Sequence, residues 1–210
     1  MEEKLAAIKT WLGTGSINIF GLPMSGKDTV GVHLAEDLGA KFLSSGMIIR
    51  AAEQERNEYI TDKGQLAPTN VFFDLVLPYF DREDLREFPL VLSSVGRWAG
   101  EESQVLAVAE AAGHPVKAAI ILNVSEADVM DRWEVAHMLG DRGARPDDMK
   151  PEVFKTRIAE FDEKTRPVLR HYRELGLLVE VRADMVRELV YEEAVNKLYE
   201  FAVKGERLYE

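Results

Sequence analysis

The chain has no cysteine among its 210 residues. This absence excludes disulfide bonds, thiolate metal sites and a cysteine nucleophile. No apolar run approaches the length of a membrane span, and no basic segment followed by an apolar one stands at the start. These features predict a soluble cytoplasmic protein that has no membrane as a partner.

Basic residues are also scarce, because 26 Lys and Arg stand against 37 Asp and Glu, for a net charge of −11. This balance disfavours nucleic acid as the main partner, since a phosphate backbone requires a basic surface. A small anionic ligand stays possible if the basic side chains gather in one pocket. The hydrophobic share of 46% and the charged share of 30% are typical of a globular chain, and the length predicts one domain.

Apolar, strand-like runs alternate with helical patterns along the chain. The predicted strands cover residues 16–20, 41–44, 89–94, 116–124 and 177–183. This alternation predicts an α/β fold with a five-stranded parallel sheet, right-handed crossovers and helices on both faces. A short amphipathic helix at 1–12 precedes the first strand, and Pro167 is predicted to kink the helix that begins near Pro151.

The loop between the first strand and the first helix reads Phe20-Gly21-Leu22-Pro23-Met24-Ser25-Gly26-Lys27-Asp28-Thr29. A loop bounded by glycines between a strand and a helix is the context of a phosphate-binding loop. Its backbone N–H groups form an anion-binding concavity, and the N-terminus of the helix points at the same place. Lys27 adds a mobile positive charge for the outer phosphates. The alternative is a glycine-rich turn that binds nothing, which the agreement of strand, loop and helix disfavours.

The pattern G-x-P-x-x-G-K-x-T in this loop resembles the adenylate kinase and UMP/CMP kinase family, in which one residue also stands between the lysine and the threonine. Residues 43–52, Leu-Ser-Ser-Gly-Met-Ile-Ile-Arg-Ala-Ala, resemble the family's S-T-G-D-M-L-R-A-A segment, and residues 93–97, Ser-Ser-Val-Gly-Arg, resemble its D-G-F-P-R. Residues 140–148 are similar to its short lid. The resemblance covers roughly residues 16–203. It implies a P-loop NTP hydrolase-like three-layer fold with a monophosphate-binding insert at about 45–70 and a lid at about 134–147.

The resemblance also implies roles for individual residues. ATP would be bound by Gly21, Pro23, Ser25, Gly26, Lys27, Asp28, Thr29, Arg132 and Arg142. The monophosphate would be bound by Ser45, Gly46, Arg50, Gln65, Ala67, Arg97 and Gln104. Catalysis would rest on Lys27, Arg97, Arg132, Arg145 and Arg157. Phosphoryl transfer depends mostly on positioning and charge stabilisation, and arginine forks grip phosphates in a bidentate way. For any one arginine, the alternative is a surface salt bridge of little energetic weight.

Two of these assignments concern the nucleobase. The backbone carbonyl of Ala67 matches one that helps to read the base in the family. Gln104 is the candidate for the family's base-reading glutamine, although a few extra residues intervene. The alternative for Gln104 is a polar residue on a helix surface.

Three positions depart from the family pattern. Asp28 stands where the family has glycine, Met47 where it has one aspartate, and Ser93 where it has the aspartate that orders the water shell of Mg²⁺. Asp28 is predicted to point away from the phosphates, either capping the helix or meeting a basic neighbour. Mg²⁺ is predicted to be bound chiefly by phosphate oxygens and water, with help from Thr29 and Ser93.

The resemblance implies a nucleoside monophosphate kinase that transfers the γ-phosphoryl group of MgATP, with AMP as the first expected acceptor and CMP or UMP next. Two alternatives stay open. One is a nucleotide-binding regulatory protein of the same fold with little turnover, which the three departures favour. The other is a P-loop kinase of another small phosphorylated substrate. The expected partners are small-molecule nucleotides, and the expected state is a monomer or weak dimer.

The implied lid would close over the phosphates and exclude water, with Arg142 and Arg145 pairing with bound nucleotides. We therefore expect residues 134–147 and 50–65 to be the most mobile parts of the unliganded chain.

Overall fold

The structure, a computed structural model, describes residues 1–56, 65–139 and 150–206. The strands are β1 Ser16–Gly21, β2 Lys41–Ser44, β3 Leu90–Ser93, β4 Val116–Asn123 and β5 Leu178–Arg182. The α-helices are α1 Glu2–Leu12, α2 Lys27–Leu38, α3 Ser45–Arg56, α4 Thr69–Leu75, α5 Glu101–Ala111, α6 Glu126–Met138, α7 Pro151–Glu160, α8 Arg166–Glu174 and α9 Arg187–Glu206. A 3₁₀ turn at Leu77–Asp81 follows α4, and a π-turn at Phe161–Thr165 joins α7 to α8.

The five strands form one parallel sheet in the order β2-β3-β1-β4-β5. This confirms the fold predicted from the alternating pattern. Every residue of the central strand β1 is buried, as expected for a strand covered on both faces. Ile19 of β1 lies beside Ser93 of β3 on one side and beside Ile120 of β4 on the other. The segments after β1 and β3 therefore leave the sheet side by side at its carboxyl edge.

Successive β1 side chains point to opposite faces of the sheet and enter two separate cores. Ile17 and Ile19 belong to a core that includes residues of α1, α2 and α9. Phe20 belongs to the other, where its ring centroid lies 5.8 Å from that of Tyr172 on α8. Burial raises the pKa of the Tyr172 hydroxyl above its usual value, so this group stays neutral at physiological pH. Helices thus cover both faces of the sheet, as predicted.

The helix α1 packs against α9. Ile8 and Leu12 are completely buried in the core that α9 also enters, and the Trp11 ring meets the Phe201 ring edge-on at 6.1 Å. The helix predicted ahead of the first strand is therefore present. Its apolar side belongs to the fold itself.

The interruption expected from Pro167 takes the form of the π-turn between α7 and α8. Proline has no N–H to donate to the preceding turn, so the regular hydrogen-bond ladder cannot continue through this position. Phe161 and Thr165, the first and last residues of the π-turn, are both buried. Both face the cleft described below.

The predicted lid range begins too early. Residues 134–138 form the last part of α6, since Val135, Ala136 and Met138 continue the helix and the first strong helix-breaking residue is Gly140. The rest of the predicted lid, with Arg142 and Arg145, and residues 57–64 of the second segment expected to be mobile lie outside the described residues. Within the described ranges, none of the helices combines the length and the apolar character that crossing a bilayer requires.

Candidate active site

A cleft of about 1160 Å³, part of it open to solvent, lies at the carboxyl edge of the sheet. Its walls come from the β1–α2 loop, the start of α3, residues 65–67, the segment after β3, and the α7–α8 region. The sheet order places β3 on one side of β1 and β4 on the other. Ligands of open α/β sheets bind at such a point, outside the carboxyl ends of the strands.

The loop between β1 and α2 is compact and depends on its glycines. Gly26, directly before α2, has a φ of +91°, which a side chain would strain. A Cβ on Gly21 would collide with the Ser25 side chain folded beneath it. Met24 also adopts a positive φ, of 66°, and the Ser25 N–H donates to the Leu22 carbonyl at 3.0 Å. The strand, the glycine-bounded loop and the helix thus follow one another as the sequence predicted.

Lys27 and Asp28, the first two residues of α2, both line the cleft. The Lys27 Nζ lies 3.7 Å from the Asp28 Oδ1, and the Asp28 Oδ1 accepts a hydrogen bond from the Ser93 hydroxyl at 2.5 Å. Asp28 therefore meets a basic neighbour, which was one of the two roles expected for it. The prediction that it points away from the phosphate end is wrong, because the hydroxyl at the end of β3 holds it on the cleft wall.

Three arginines from three different elements also line this cleft: Arg50 on α3, Arg97 after β3 and Arg157 on α7. The Arg50 guanidinium lies over the first turn of its own helix, since a Cβ on Gly46 would be only 3.0 Å from the Arg50 Nη1. The Arg97 Nε donates to the Ser94 carbonyl at 3.3 Å. Together with Lys27 they bring four cationic side chains to one cavity of an acidic chain.

Replacing Gly46 by alanine is expected to push the Arg50 guanidinium aside without weakening the fold. The KM for the monophosphate that the resemblance implies should rise about fivefold, equivalent to ~1 kcal/mol of weakened charge-assisted hydrogen bonding. Alanine suits a helix better than glycine, so thermal stability should not fall. Steady-state kinetics and thermal unfolding would check this, with Ala51→Ser on the exposed side of α3 as the control. An unchanged KM would show that the position of Arg50 does not matter for the acceptor.

The segment from Ser94 to Trp98 is held rigidly by two side chains. Asn18, completely buried in β1, donates to the Val95 carbonyl at 2.7 Å and accepts from the Val95 N–H at 3.2 Å. The Glu101 Oε2 accepts from the N–H groups of Arg97 at 2.8 Å and Trp98 at 3.0 Å. Neither Asn18 nor Glu101 was predicted as a site residue. For Asn18 the sequence offered one signal, a polar residue inside an apolar strand, because a buried polar group requires a hydrogen-bond partner.

Two adenylate kinases are similar to the chain over about three quarters of its length. It is 31% identical to an adenylate kinase of Sinorhizobium medicae over 166 residues, covering 75% of this chain and 86% of that protein. The adenylate kinase of Methylobacterium nodulans is also 31% identical, over 170 residues, covering 77% and 85% of the two chains.

The chain belongs to the adenylate kinase family.

A more distant adenylate kinase, that of Streptococcus agalactiae, is 27% identical over 208 residues. No protein-family model matches the chain. A solved structure, that of a gluconokinase from Sinorhizobium meliloti 1021, superposes with a TM-score of 0.60 at 20% identity and covers 93% of this chain and 95% of its own. That likeness shows the P-loop kinase fold. Family membership makes the protein a phosphotransferase, which weighs against the regulatory alternative.

In this member of the adenylate kinase family, side chains of the protein itself contact the place where the resemblance put base reading. The Trp98 Nε1 donates to the Ala67 carbonyl at 3.0 Å, so that the carbonyl already has a partner. The Lys164 Nζ lies 4.0 Å from the centre of the Trp98 ring and also pairs with Glu160 at 2.6 Å. Glu160 in turn accepts from the Leu66 N–H at 3.1 Å. These contacts, which the sequence did not predict, tie residues 66–67 to Trp98 and α7.

Two buried oxygens on the cleft wall have no hydrogen-bond partner among the described residues, the Glu101 Oε1 and the Thr165 Oγ1. The carboxylate oxygen can accept hydrogen bonds, and the hydroxyl can both donate and accept. Buried polar atoms without partners carry a free-energy cost that a bound molecule can remove. Both are therefore candidates for contacts with the acceptor.

The structure brings most of the predicted site residues together. Those that line the cleft are Gly21, Pro23, Lys27, Asp28, Ser45, Gly46, Arg50, Gln65, Ala67, Arg97 and Arg157. Ser25 and Gly26 shape the loop beneath it, and Ser93 is buried and donates its hydrogen bond to Asp28. The Ser45 hydroxyl also has a partner, because it donates to the Ser94 carbonyl at 2.7 Å.

Two predicted residues, Gln104 and Thr29, are placed differently from expectation. Gln104 is exposed on α5 and does not line the cleft, so its assignment to base reading is corrected to a polar position on the helix surface. Thr29 is exposed on α2 and also does not line the cleft, so the structure does not bring it to the metal position. Arg132 donates to the carbonyls of Met24 at 3.3 Å and Ala183 at 2.5 Å, beside the phosphate loop. Arg142 and Arg145 lie outside the described residues.

Proposed function

We propose that this protein is a nucleoside monophosphate kinase that transfers the γ-phosphoryl group of MgATP to a nucleoside monophosphate. The observation that carries the proposal is the convergence of Lys27, Arg50, Arg97 and Arg157 on one cleft of a chain whose net charge is −11. A phosphate dianion is the acceptor chemistry that several guanidinium forks suit best.

In the proposed reaction the protein acts by positioning and by stabilising charge. Lys27 and the N–H groups of the β1–α2 loop bind the phosphates of ATP, while the arginines orient the phosphate of the acceptor for in-line attack. The transferred group spreads its charge over its oxygens, which these cations stabilise. No side-chain nucleophile is needed. Mg²⁺ prefers oxygen ligands, and the Asp28 carboxylate and Ser93 hydroxyl at the phosphate end fit it. When bound, it neutralises charge on the outer phosphates.

The proposal also concerns which nucleobase the acceptor carries. AMP is the acceptor expected first from the sequence, followed by CMP and UMP. Adenine read through the Ala67 carbonyl would have to share that oxygen with the Trp98 indole. The Glu101 Oε1 and Thr165 Oγ1 offer alternative partners for an amino or hydroxyl group of the acceptor.

A panel of monophosphates tests the proposal. NDP production from AMP, CMP and UMP would be measured with a coupled assay, beside thermal shifts with ATP, each monophosphate and a bisubstrate dinucleotide. We expect turnover of at least one monophosphate and a large stabilisation by the bisubstrate ligand, because it occupies both ends of the cleft. Binding of that ligand without turnover would contradict kinase activity. Binding of ATP but of no monophosphate would favour a different acceptor.

The second candidate is a P-loop kinase of another small phosphorylated substrate. It is favoured by the contacts of Trp98 with Ala67 and of Glu160 with Leu66, which occupy backbone groups of residues 66–67, where the resemblance put base reading. A compact phosphorylated acceptor would need the arginines but not the space for a base.

Replacing Trp98 by phenylalanine separates the two candidates. The variant retains an aromatic ring but has no N–H for the Ala67 carbonyl. If adenine is read there, its amino group gains an acceptor, and the ratio of kcat/KM for AMP to that for UMP should rise about fivefold, the effect of one hydrogen bond. Trp11→Phe, on the far side of the sheet among residues of α1 and α9, is the control. An unchanged ratio would remove Ala67 from the base site and favour the second candidate.

A further inference from the structure

The hydrogen bond between Ser93 and Asp28 joins two elements at the phosphate end of the cleft. Ser93 is the last residue of β3 and is 1% exposed, whereas Asp28 is in the first turn of α2 with 45% of its side chain exposed. The Ser93 hydroxyl donates to the Asp28 Oδ1 at 2.5 Å. One carboxylate oxygen is thus anchored to the end of a buried strand, while the side chain remains on the cleft wall.

Two acidic side chains line the cleft among the described residues, and they serve different ends of it. Glu101 uses its Oε2 to hold the N–H groups of Arg97 and Trp98, on the acceptor side. Asp28 adjoins Lys27, on the side of the phosphate-binding loop. A carboxylate beside a triphosphate repels it strongly in a partly desolvated site unless a cation lies between them. Lys27 alone adds one positive charge against the several negative charges of the nucleotide.

We propose that Asp28 supplies, from α2, the carboxylate that orders the water shell of nucleotide-bound Mg²⁺, and that Ser93 holds it at the carboxyl end of β3. The inference rests on the proposed MgATP-dependent function. An ionised carboxylate only accepts hydrogen bonds, so Asp28 has the chemistry to accept them from metal-bound water. Mg²⁺ gives up its waters reluctantly, so a carboxylate commonly acts on it through them. The family pattern places an aspartate at the position of Ser93. Here the negative charge reaches the same place from the neighbouring element.

The test measures Mg²⁺ binding by the nucleotide complex rather than turnover. The thermal shift produced by a non-hydrolysable ATP analogue is recorded as the Mg²⁺ concentration is raised, for the parent and three variants. Asp28→Asn retains the shape and the contact with Ser93 but loses the charge. Ser93→Ala loses the anchor. The double variant Asp28→Gly with Ser93→Asp moves the carboxylate from α2 to β3. Glu36→Gln, which removes the same charge from an exposed site on α2, is the control.

For Asp28→Asn we expect the Mg²⁺ concentration at half-maximal shift to rise about tenfold, as for residues that orient a metal's ligands. Without Mg²⁺, the analogue should bind this variant at least as well as the parent, because a repulsive charge has gone. Ser93→Ala should show a smaller rise, of about threefold, since the carboxylate remains but is less well oriented. The double variant should return close to the parent value, and Glu36→Gln should match the parent throughout.

An unchanged Mg²⁺ requirement in Asp28→Asn would overturn the inference and leave the proposed function intact. Weaker binding of the metal-free analogue by Asp28→Asn would also overturn it, because Asp28 would then act by holding Lys27. If the double variant needs as much Mg²⁺ for the half-maximal shift as Asp28→Asn does, the proposal that a carboxylate on β3 can replace the one on α2 is contradicted. If Mg²⁺ and the analogue fail to stabilise even the parent, the proposed function falls and the inference falls with it. Unfolding curves without nucleotide show that each variant is folded.

Discussion

Replacing Lys27 by alanine is expected to lower the rate of phosphoryl transfer by about 10³-fold or more, the scale seen when a charge that stabilises the transition state is removed. The Lys27 side chain is only 13% exposed, lines the cleft and begins α2, so it and the helix N-terminus act on the same phosphates. It belongs to neither hydrophobic core, so the variant should fold normally.

Single-turnover kinetics with thermal unfolding would measure this effect. Lys155→Ala is the matched control, because Lys155 is exposed on α7 and does not line the cleft. It should leave both rate and stability close to the parent values. Activity of Lys27→Ala equal to that of the control would refute the assignment of the β1–α2 loop to ATP.

Replacing Arg97 by alanine is expected to lower kcat/KM for the monophosphate about 10²- to 10³-fold while the KM for ATP changes little. Arg97 sits on a segment that Asn18 and Glu101 fix in place, so its guanidinium is positioned before the ligand arrives. Arg97→Lys should recover only part of the loss, since an ammonium group cannot form the planar bidentate contact.

Full kinetics with both substrates varied would separate the two ends of the cleft. Arg170→Ala, at an exposed position on α8, is the control for removing one positive charge from the protein. An equal loss of affinity for ATP and for the monophosphate in Arg97→Ala would show that Arg97 does not act on the acceptor alone.

The elements of the fold were largely predictable because their signals are local. Glycines mark the ends of α2, and alternating apolar runs mark the strands, so predicted and observed boundaries of the strands agree within one or two residues. The predicted start of the lid, at about residue 134, was too early because no strong helix-breaking residue precedes Gly140, so that α6 continues to Met138. Arg50, Arg97 and Arg157 were predicted through their register with a known family, and the structure brings all three to the cleft.

Several contacts that shape the cleft were not predictable because they join distant parts of the chain. The Asp28–Ser93 bond spans 65 residues, the Trp98–Ala67 bond 31 and the Asn18–Val95 bond 77. No local pattern reports such contacts. The prediction for Asp28 considered its repulsion from phosphate, a helix cap and a basic neighbour, but not a hydroxyl on the neighbouring strand. Gln104 was misassigned because its register was inferred across extra residues, and the helix turns it to solvent.

The π-turn at Phe161–Thr165 holds about one residue more than a turn of α-helix does, and its first and last residues face the cleft. Removing one residue here would let the hydrogen-bond ladder close into a regular α-helix and would move these residues relative to the cleft. Lys164 would then lose its place over Trp98, and Thr165 would turn away from the cleft. The shape of the cleft therefore depends on the number of residues in this short stretch as well as on its side chains. A single deletion here would damage the cleft more than most substitutions.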